Sequence, residues 1–202
     1  MSAPDPGIVV VVRHGATAWS VEGRHTGRRE LPLNDAGRAQ AGRAGAWLAG
    51  HRFATVWVSP QERARETCRL AGFAADATEH PDLVEWDYGD YEGLTDDEVR
   101  RERPGWSLFR DGAPGGEQPE EVVARVDRVL SALRETAGPR LVFSHGKTLR
   151  VMAARWLGQS ATFAGSLPFQ TAAIGILDVD GGWPALRLWN FQGEVPQLAG
   201  AG

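Results

Sequence analysis

The chain has 202 residues, a length that fits one domain built on a single core. Hydrophobic residues make up 42% of it, close to the average for globular proteins, which argues against disorder. The formal net charge of -4 argues against a general role on nucleic acid or on membrane surfaces, because both would require a basic surplus.

The cysteine content and the N-terminal sequence bear on location. Cys68 is the single cysteine of the sequence, so it cannot form an internal disulfide, and this favours a reducing compartment. The opening MSAPDPG lacks the charged and apolar regions of a signal peptide. No apolar stretch approaches the roughly 20 residues of a membrane-spanning helix. We therefore expect a cytoplasmic protein.

The sequence predicts short apolar strands that alternate with helices. Ile8–Val12 is a continuous apolar run, typical of a strand buried on both faces of a parallel sheet. Further strands are predicted at Ala54–Val58 and Leu141–Phe143, and a hairpin at Ala172–Val179, Asp180-Gly181-Gly182 and Leu186–Trp189. Helices are predicted at Ala36–Ala49 (capped by Asn34 or Asp35 and ended by Gly50), Glu62–Ala71, Glu120–Thr136 and Thr148–Leu157.

This alternation indicates an α/β fold around a mostly parallel sheet. No linker, low-complexity tract or tandem repeat divides the chain, so we expect one domain over residues 1–202. The segment of about 86–118 is rich in glycine, proline and charged residues. We expect this segment to lie outside the core, as a lid or insertion over a site.

Polar motifs follow three of the predicted strands. Arg13-His14-Gly15 follows the first, Ser59-Pro60 and then Arg63 follow the second, and Ser144-His145-Gly146 follows the third. The carboxyl ends of strands in an open α/β sheet face the ligand crevice, so two histidines and two arginines are expected to converge there. Each glycine lets the backbone turn tightly or approach a ligand closely.

Such a cluster suits a phosphate group. Arginine binds phosphate oxygens through two N–H groups at once, and helix N-termini add further donors. One pair of unit charges about 4 Å apart contributes about 4 kcal/mol at an effective dielectric near 20, and several cations around a dianion contribute more. The sequence lacks the GxxxxGK[ST] of a Walker-type loop. It also lacks HExxH and CxxC, and the arginines would repel a cation, so we expect no metal site.

These motifs resemble those of the histidine phosphatase superfamily, and more narrowly its phosphoglycerate mutase-like branch. The resemblance is carried by Arg13-His14-Gly15 with Thr17, Trp19, Arg24 and Thr26-Gly27, then by LPLNDAGRAQA, SPQERARETC, LVEWDYGDYEGLT and SHGKTLR. The motifs span about Ile8 to Trp189 in the family's order, which is far more specific than the RHG tripeptide alone. The resemblance implies a three-layer α/β/α sandwich of the phosphoglycerate mutase-like kind.

The resemblance also implies a phosphohistidine mechanism without a cofactor. His14 would attack the phosphorus in line and carry the phosphoryl group, which divides one difficult displacement into two easier ones. Arg13, Arg63 and His145 would hold the phosphoryl oxygens and offset the charge that spreads in the transition state. Because these groups supply the electrostatic stabilisation, no metal ion is implied.

Glu85 is the general acid and base that the resemblance implies. It would protonate the leaving alkoxide and then take a proton from the attacking water, so burial has to keep it protonated near the working pH. Three other carboxylates lie close to it in sequence and compete for the role: Asp87, Asp90 and Glu92.

Departures from the family's mutases favour a phosphatase. The mutases usually have an arginine directly after the catalytic glutamate to bind the substrate carboxylate, whereas this chain has Trp86. They have asparagine where this chain has Ser20, and a longer insertion with an arginine pair. Arg100-Arg101 could be such a pair, but an amphipathic lid explains it equally well. Without the carboxylate clamp, water is expected to take the phosphoryl group.

Within the branch, TAWSVEGRHTG, EWDYGDYEGLT and WSLFRDGAPGGE resemble short bacterial acid phosphatases and sugar bisphosphatases, including those that act on sedoheptulose bisphosphate. Aromatic residues of the 86–118 segment would either wall a small ligand or pack in the core. His25 is expected near the site, and Lys147 would either bind a second acidic group of the substrate or be a surface residue. The expected substrate-binding residues are Ser20, Arg24, Thr26, Gly27, Trp86, Tyr88 and Lys147.

The expected partner is a small phosphorylated metabolite, with no nucleic acid and no membrane, and the resemblance suggests a homodimer. Two other functional classes stay open: a 2,3-bisphosphoglycerate-dependent phosphoglycerate mutase, and a non-catalytic module that binds a phosphorylated ligand. The second conflicts with the presence of a complete set of nucleophile, phosphate-binding and acid–base residues. An aromatic, lidded pocket disfavours a protein-phosphotyrosine phosphatase.

Overall fold

The computed structural model describes residues 7–193, which form a six-stranded sheet with helices on both faces. In chain order the strands are β1 (Val9–Arg13), β2 (Thr55–Val58), β3 (Ala77–Glu79), β4 (Arg140–Ser144), β5 (Ile174–Asp180) and β6 (Trp183–Phe191). The helices are α1 (Ala18–Glu22), α2 (Asp35–Leu48), α3 (Glu62–Leu70), α4 (Asp96–Glu102), α5 (Leu108–Asp111), α6 (Pro119–Glu135) and α7 (Gly146–Trp156). The N-terminal residues 1–6, interpreted above as lacking a signal peptide, lie outside the described residues.

The sheet is mostly parallel, as predicted. Its order is β3-β2-β4-β1-β5-β6, and the pairs β1–β4, β4–β2 and β2–β3 are all parallel. β5 runs antiparallel to both of its neighbours, β1 and β6. Because β1, β2 and β4 are parallel neighbours, their carboxyl ends lie at one edge of the sheet, and the three polar motifs that follow them meet there.

The valine run of β1 is buried because both faces of the central strand are covered. Val9 and Val11 belong to the core cluster that includes the apolar faces of α6 and α7. Val10 and Val12 belong to the cluster that includes residues of α2 and α3 on the opposite face. Successive side chains of a strand point to opposite faces, so this division confirms the three-layer α/β/α arrangement.

The four predicted helices and the hairpin are confirmed, with ends that differ by at most two residues for the helices and three for the hairpin. Asn34, rather than Asp35, caps α2: its side chain accepts a hydrogen bond from the Gly37 N–H at 2.7 Å. Sequence patterns missed β3 and the short helices α1, α4 and α5, which are too brief to show periodicity. Within residues 7–193 no helix has the length and apolar character to cross a membrane.

The expectation that residues 86–118 lie outside the core is wrong. Trp86, Tyr88, Trp106 and Phe109 are at most 5% exposed and belong to the larger core cluster, together with α6 and α7. The polar residues of the segment lie mostly at its surface, whereas its aromatic side chains are buried. Of the two possibilities for these aromatic residues, a pocket wall or the core, packing in the core is correct for most of them.

Candidate active site

A pocket of about 470 Å³ opens at the sheet edge where β1 and β4 end. Its walls come from the end of β1, the α1 region, the turn around Glu85, the start of α4 and the first turns of α7. The residues predicted from the sequence that line it are Arg13, His14, Ser20, Arg24, Thr26, Glu85, Tyr88 and Lys147. His25 also lines the pocket, as expected, and stacks on the ring of Tyr88 at 4.4 Å.

His14 is held in one tautomer. Its Nδ1 lies 2.7 Å from the Gly15 carbonyl oxygen, which only accepts, so Nδ1 carries the hydrogen and donates it. The Nε2 lone pair has no hydrogen-bond partner among residues 7–193, and the ring is part of the pocket wall. The imidazole therefore presents a nucleophilic nitrogen to the pocket.

The loop that carries His14 is fixed by a close contact between backbones. A Cβ on Gly15 would lie 2.3 Å from the carbonyl oxygen of Gly37, at the start of α2, so only glycine fits there. The Gly15 N–H donates to Thr67 Oγ1 at 3.0 Å, and Thr67 Oγ1 donates to the Arg63 carbonyl at 2.7 Å. The first motif is thus tied directly to α3, the helix that carries Arg63.

Three donors beside His14 are buried without a partner: Arg13 Nε, Arg63 Nε and His145 Nδ1. Several other donors of the two arginines are engaged with backbone carbonyls. Arg13 Nη1 donates to the Phe169 carbonyl at 2.6 Å, and the Nη groups of Arg63 donate to carbonyls of residues 26, 27 and 29. Buried donors are nearly always satisfied, so unsatisfied ones around a pocket indicate a site for an anion.

Arg63 and His145 are fully buried and do not form part of the pocket wall itself. The His145 ring lies 5.2 Å from the His14 ring, centroid to centroid. Ser59 Oγ accepts the Gln61 N–H and lies 2.8 Å from His145 Nε2. Its own hydrogen has no other acceptor among residues 7–193, so we expect Ser59 to donate it to Nε2. His145 then keeps its hydrogen on Nδ1, the atom without a partner, as a neutral donor.

The pKa values of both histidines lie well below the ordinary 6.5. Burial is the main cause for each, followed by the positive charge of Arg63. Burial also lowers the pKa of both arginines, which shows that their charges are poorly compensated in the free protein. An anion bound among these groups would supply that compensation.

The buried histidines predict a loss of stability in acid. Each has a folded-state pKa below its unfolded value of 6.5, so below pH 6.5 the unfolded chain binds more protons than the folded one. The free energy of unfolding should therefore fall as the pH drops from about 7 to about 5. Urea denaturation at several pH values measures it. His14→Gln should flatten the dependence, whereas His51→Gln, at an exposed position, should not; parallel curves for all three proteins would contradict the assignment.

Glu85 is bound at the N-terminus of α7. Its carboxylate accepts hydrogen bonds from the backbone N–H groups of Trp86 (3.0 Å), Lys147 (3.1 Å) and Thr148 (3.0 Å), and lies 3.1 Å from Thr148 Oγ1. These contacts fix the carboxylate beside the third motif, in the pocket wall. That burial keeps Glu85 protonated stays a prediction.

The competing carboxylates are committed elsewhere. Asp87 forms an ion pair with Arg28 and accepts the Gly89 N–H. Glu92 accepts the Gly27 N–H with both oxygens, and Asp90 is exposed. None of the three lines the pocket that contains His14.

Two predicted substrate-binding residues do not reach the pocket. Trp86 is 0% exposed: its ring packs edge-to-face against Phe109 and its Nε1 donates to the Glu117 carbonyl at 2.9 Å. Trp86 is a core residue, and its assignment to the substrate was wrong. Gly27 lies behind the wall, where its carbonyl accepts from Arg63 and a Cβ would meet the Trp86 carbonyl at 2.6 Å.

Arg125, on α6, is a residue that the sequence interpretation missed. It is 5% exposed, and Nη1 donates to the Asp82 and Val84 carbonyls, both at 2.9 Å. Nε and Nη2 also bind the Glu117 carboxylate. The chain just before Glu85 is thereby clamped to α6. Its burial could have been inferred from the sequence, because Arg125 lies three residues after Val122, on the apolar face of an amphipathic helix.

Arg125 is expected to act as a positioning residue for Glu85. Arg125→Met should lower kcat on a sugar phosphate by about 10–100-fold, since a displacement of about 1 Å in a catalytic group has effects of that size. Nitrophenyl phosphate, whose leaving group needs no proton, should be affected less. Steady-state kinetics on both substrates measure this, with Arg128→Met as the control, because Arg128 binds Asp82 from the exposed face of the same helix. Equal losses on both substrates would show general destabilisation instead.

Comparisons with known proteins identify the family of the chain. The profile of the histidine phosphatase superfamily (branch 1) matches residues 9–192. An acid phosphatase of Mycobacterium tuberculosis is 36% identical over 96% of this chain and 97% of its own length. A sedoheptulose 1,7-bisphosphatase of Saccharomyces cerevisiae is 32% identical over 74% of this chain and 67% of its own. Further relatives, at 32 to 36% identity, are named 2,3-bisphosphoglycerate-dependent phosphoglycerate mutases.

Among solved structures, that of an open reading frame product of Mycobacterium tuberculosis superposes with a TM-score of 0.89 and 35% identity, over 93% of this chain and 99% of that one. The sheet and its helical layers therefore match the fold of that structure over most of both chains. The chain belongs to branch 1 of the histidine phosphatase superfamily, and its enzyme class is that of the phosphatases.

Proposed function

We propose that the chain is a metal-independent phosphomonoesterase that acts on small phosphorylated metabolites through a phosphohistidine at His14. One observation carries the proposal: the His14 Nε2 lone pair faces the pocket beside three buried donors that have no partner. A phosphoryl group bound by those donors would have its phosphorus within reach of that nitrogen. Relatives named acid phosphatase and sedoheptulose 1,7-bisphosphatase support hydrolysis.

The first step transfers the phosphoryl group to the enzyme. Nε2 of His14 forms a bond to phosphorus as the bond to the ester oxygen breaks, and Glu85 gives its proton to that oxygen, so the alcohol leaves neutral. Arg13 and Arg63 offset the negative charge on the equatorial oxygens, and the His145 Nδ1–H adds a neutral donor.

The second step releases phosphate. Glu85, now a carboxylate, takes a proton from water as that water attacks phosphorus, and the bond to Nε2 breaks. Inorganic phosphate leaves, His14 regains its lone pair, and Glu85 is again protonated. The charges that a metal ion would supply in other phosphatases come here from two guanidinium groups.

The mutase alternative requires the phosphoryl group to return to a phosphoglycerate rather than pass to water. The position that would bind the substrate carboxylate is occupied by Trp86, whose side chain is buried and turned away from the pocket. The geometry therefore offers no clamp at that place, which supports hydrolysis.

A substrate panel tests the proposal. Phosphate release is measured from sugar mono- and bisphosphates, phosphoglycerates and nitrophenyl phosphate, with EDTA present, between pH 4 and 8. Release that persists in EDTA supports a metal-independent phosphatase. Interconversion of phosphoglycerates without release would identify a mutase, and no turnover of any kind would leave a module that only binds phosphorylated ligands. The cytoplasmic location and the homodimer remain predictions.

A further inference from the structure

Two cations of α7 extend the pocket beyond the phosphate-binding donors. Lys147 and Arg150 are three residues apart and therefore on one face of the helix, and both line the pocket. Lys147 Nζ lies 5.5 Å from the centroid of the Phe109 ring, and the Arg150 guanidinium carbon lies 4.7 Å from the same centroid. Both cations thus pack against the buried ring of Phe109, which restricts their positions.

Within the described part of the chain, neither cation forms an ion pair with a carboxylate. Lys147 Nζ forms no hydrogen bond or ion pair with any of residues 7–193, and Arg150 spends Nε and Nη2 on the Ala164 and Gly165 carbonyls. Like charges held three residues apart repel each other, and burial lowers the pKa of both groups. A half-buried pair of like charges, kept at the wall of a pocket, is stable mainly when an anion occupies the space before it.

Glu22, Glu85, Asp96 and Asp97 also line the pocket, and Asp96 and Glu85 are the carboxylates that attract both cations. Both are already engaged: Glu85 accepts the backbone N–H groups of α7 described above. Asp96 accepts a hydrogen bond from His25 Nε2 at 2.8 Å and another from Arg100 Nη2 at 3.1 Å. Its attraction for Lys147 is therefore shared with two nearer donors. The positive charge of Lys147 and Arg150 remains available to a ligand in the pocket.

The position of the pair relative to Glu85 decides which part of a substrate it meets. The backbone N–H of Lys147 binds Glu85 Oε2, so the Lys147 side chain extends from the point where the leaving oxygen is protonated. A group bound there belongs to the leaving alcohol, not to the phosphoryl group that is transferred. The pocket volume of about 470 Å³ leaves room for both parts of such a substrate.

We propose that Lys147 and Arg150 form a second anion subsite, which selects substrates whose leaving alcohol carries a second phosphate group. The proposal rests on the phosphatase function proposed above. It predicts that bisphosphates are hydrolysed with a higher kcat/KM than monophosphates of the same carbon chain.

Matched substrates isolate the second phosphate. Alkane-α,ω-diol bisphosphates of increasing chain length have two equivalent phosphates, and the corresponding hydroxyalkyl monophosphates lack only the second one. For the chain length that fits, the wild-type enzyme should favour the bisphosphate, and the ratio of the two kcat/KM values should fall at least about tenfold in Lys147→Met and in Arg150→Met, the loss of one charge-assisted contact each. Both variants keep the backbone N–H groups that bind Glu85.

Arg101→Met provides the matched control, since Arg101 is exposed and lies outside the pocket wall. A wild-type ratio near one, or a ratio that the two α7 variants leave unchanged, would overturn the second subsite while phosphate release still upheld the phosphatase. No release from either substrate series, nor from nitrophenyl phosphate, would instead contradict the phosphatase function itself.

Discussion

Replacement of His14 by alanine should reduce phosphate release from every substrate by at least about 10⁴-fold, because removal of a nucleophile that acts as part of a unit has effects of that size. The physical reason is specific to this nitrogen: His14 lines the pocket, and its Nε2 lone pair has no hydrogen-bond partner among residues 7–193. The arginines would still bind the phosphate ester, so KM should change far less than kcat. Steady-state kinetics with a sensitive phosphate assay measure both parameters.

Trapping of the covalent intermediate makes the assignment sharper. A brief reaction with a radioactive phosphate ester, quenched in alkali, should label wild-type protein on a histidine, because a phosphorus–nitrogen bond survives alkali and breaks in acid. His14→Ala should give no label, whereas His51→Ala, a change at an exposed histidine, should be labelled like the wild type.

The location of the label distinguishes the two histidines of the site. In the tautomer inferred above, His145 Nε2 accepts from Ser59 and Nδ1 carries the hydrogen, so neither nitrogen offers a free lone pair to phosphorus. Label on His145, or turnover by His14→Ala close to that of the wild type, would show that the nucleophile has been assigned to the wrong residue.

The convergence of the site could be predicted from the sequence because strand order imposes it. A continuous apolar run such as Val9–Val12 identifies a central strand, and parallel strands deliver their carboxyl ends to one edge. Arg13, His14 and His145 follow directly from this rule, whatever the details of the loops. The sequence alone does not distinguish Glu85 from Asp87 and Glu92, because all three are carboxylates. The structure distinguishes them by the groups that each one binds.

The sequence interpretation failed at Trp86 and Arg125, whose residue types do not show whether the side chain lies in the core. Trp86 directly follows Glu85, and its sequence position alone does not show which way the ring points. In the structure the ring packs against Phe109 in the core. Arg125 was overlooked for the opposite reason, since a charged residue on an apolar helix face is usually assigned to the surface. Its burial becomes favourable because carbonyls of the chain before Glu85, the Glu117 carboxylate and Thr148 Oγ1 accept hydrogen bonds from its guanidinium group.

Glu85→Gln should separate proton transfer from binding. With a sugar phosphate, the leaving alkoxide is a strong base, so loss of the general acid should lower kcat by about 10²–10⁴-fold. With nitrophenyl phosphate, the leaving phenolate departs without a proton, and the decrease should be much smaller. Asp90→Asn, a change at an exposed carboxylate close by in sequence, should affect neither substrate.

The role of Glu85 is decided by whether Glu85→Gln lowers kcat equally on the two substrates. Glutamine matches the shape of Glu85 and can still accept hydrogen bonds from Trp86 and Thr148 through its amide oxygen, so the architecture of the α7 N-terminus is largely retained. Lys147 N–H, however, would face an NH₂ group, which adds a modest structural effect common to both substrates. A loss that is equal for both would therefore show that Glu85 only holds α7 in place. A loss confined to the poor leaving group would show that Glu85 donates the proton on which cleavage of an alkyl phosphate depends.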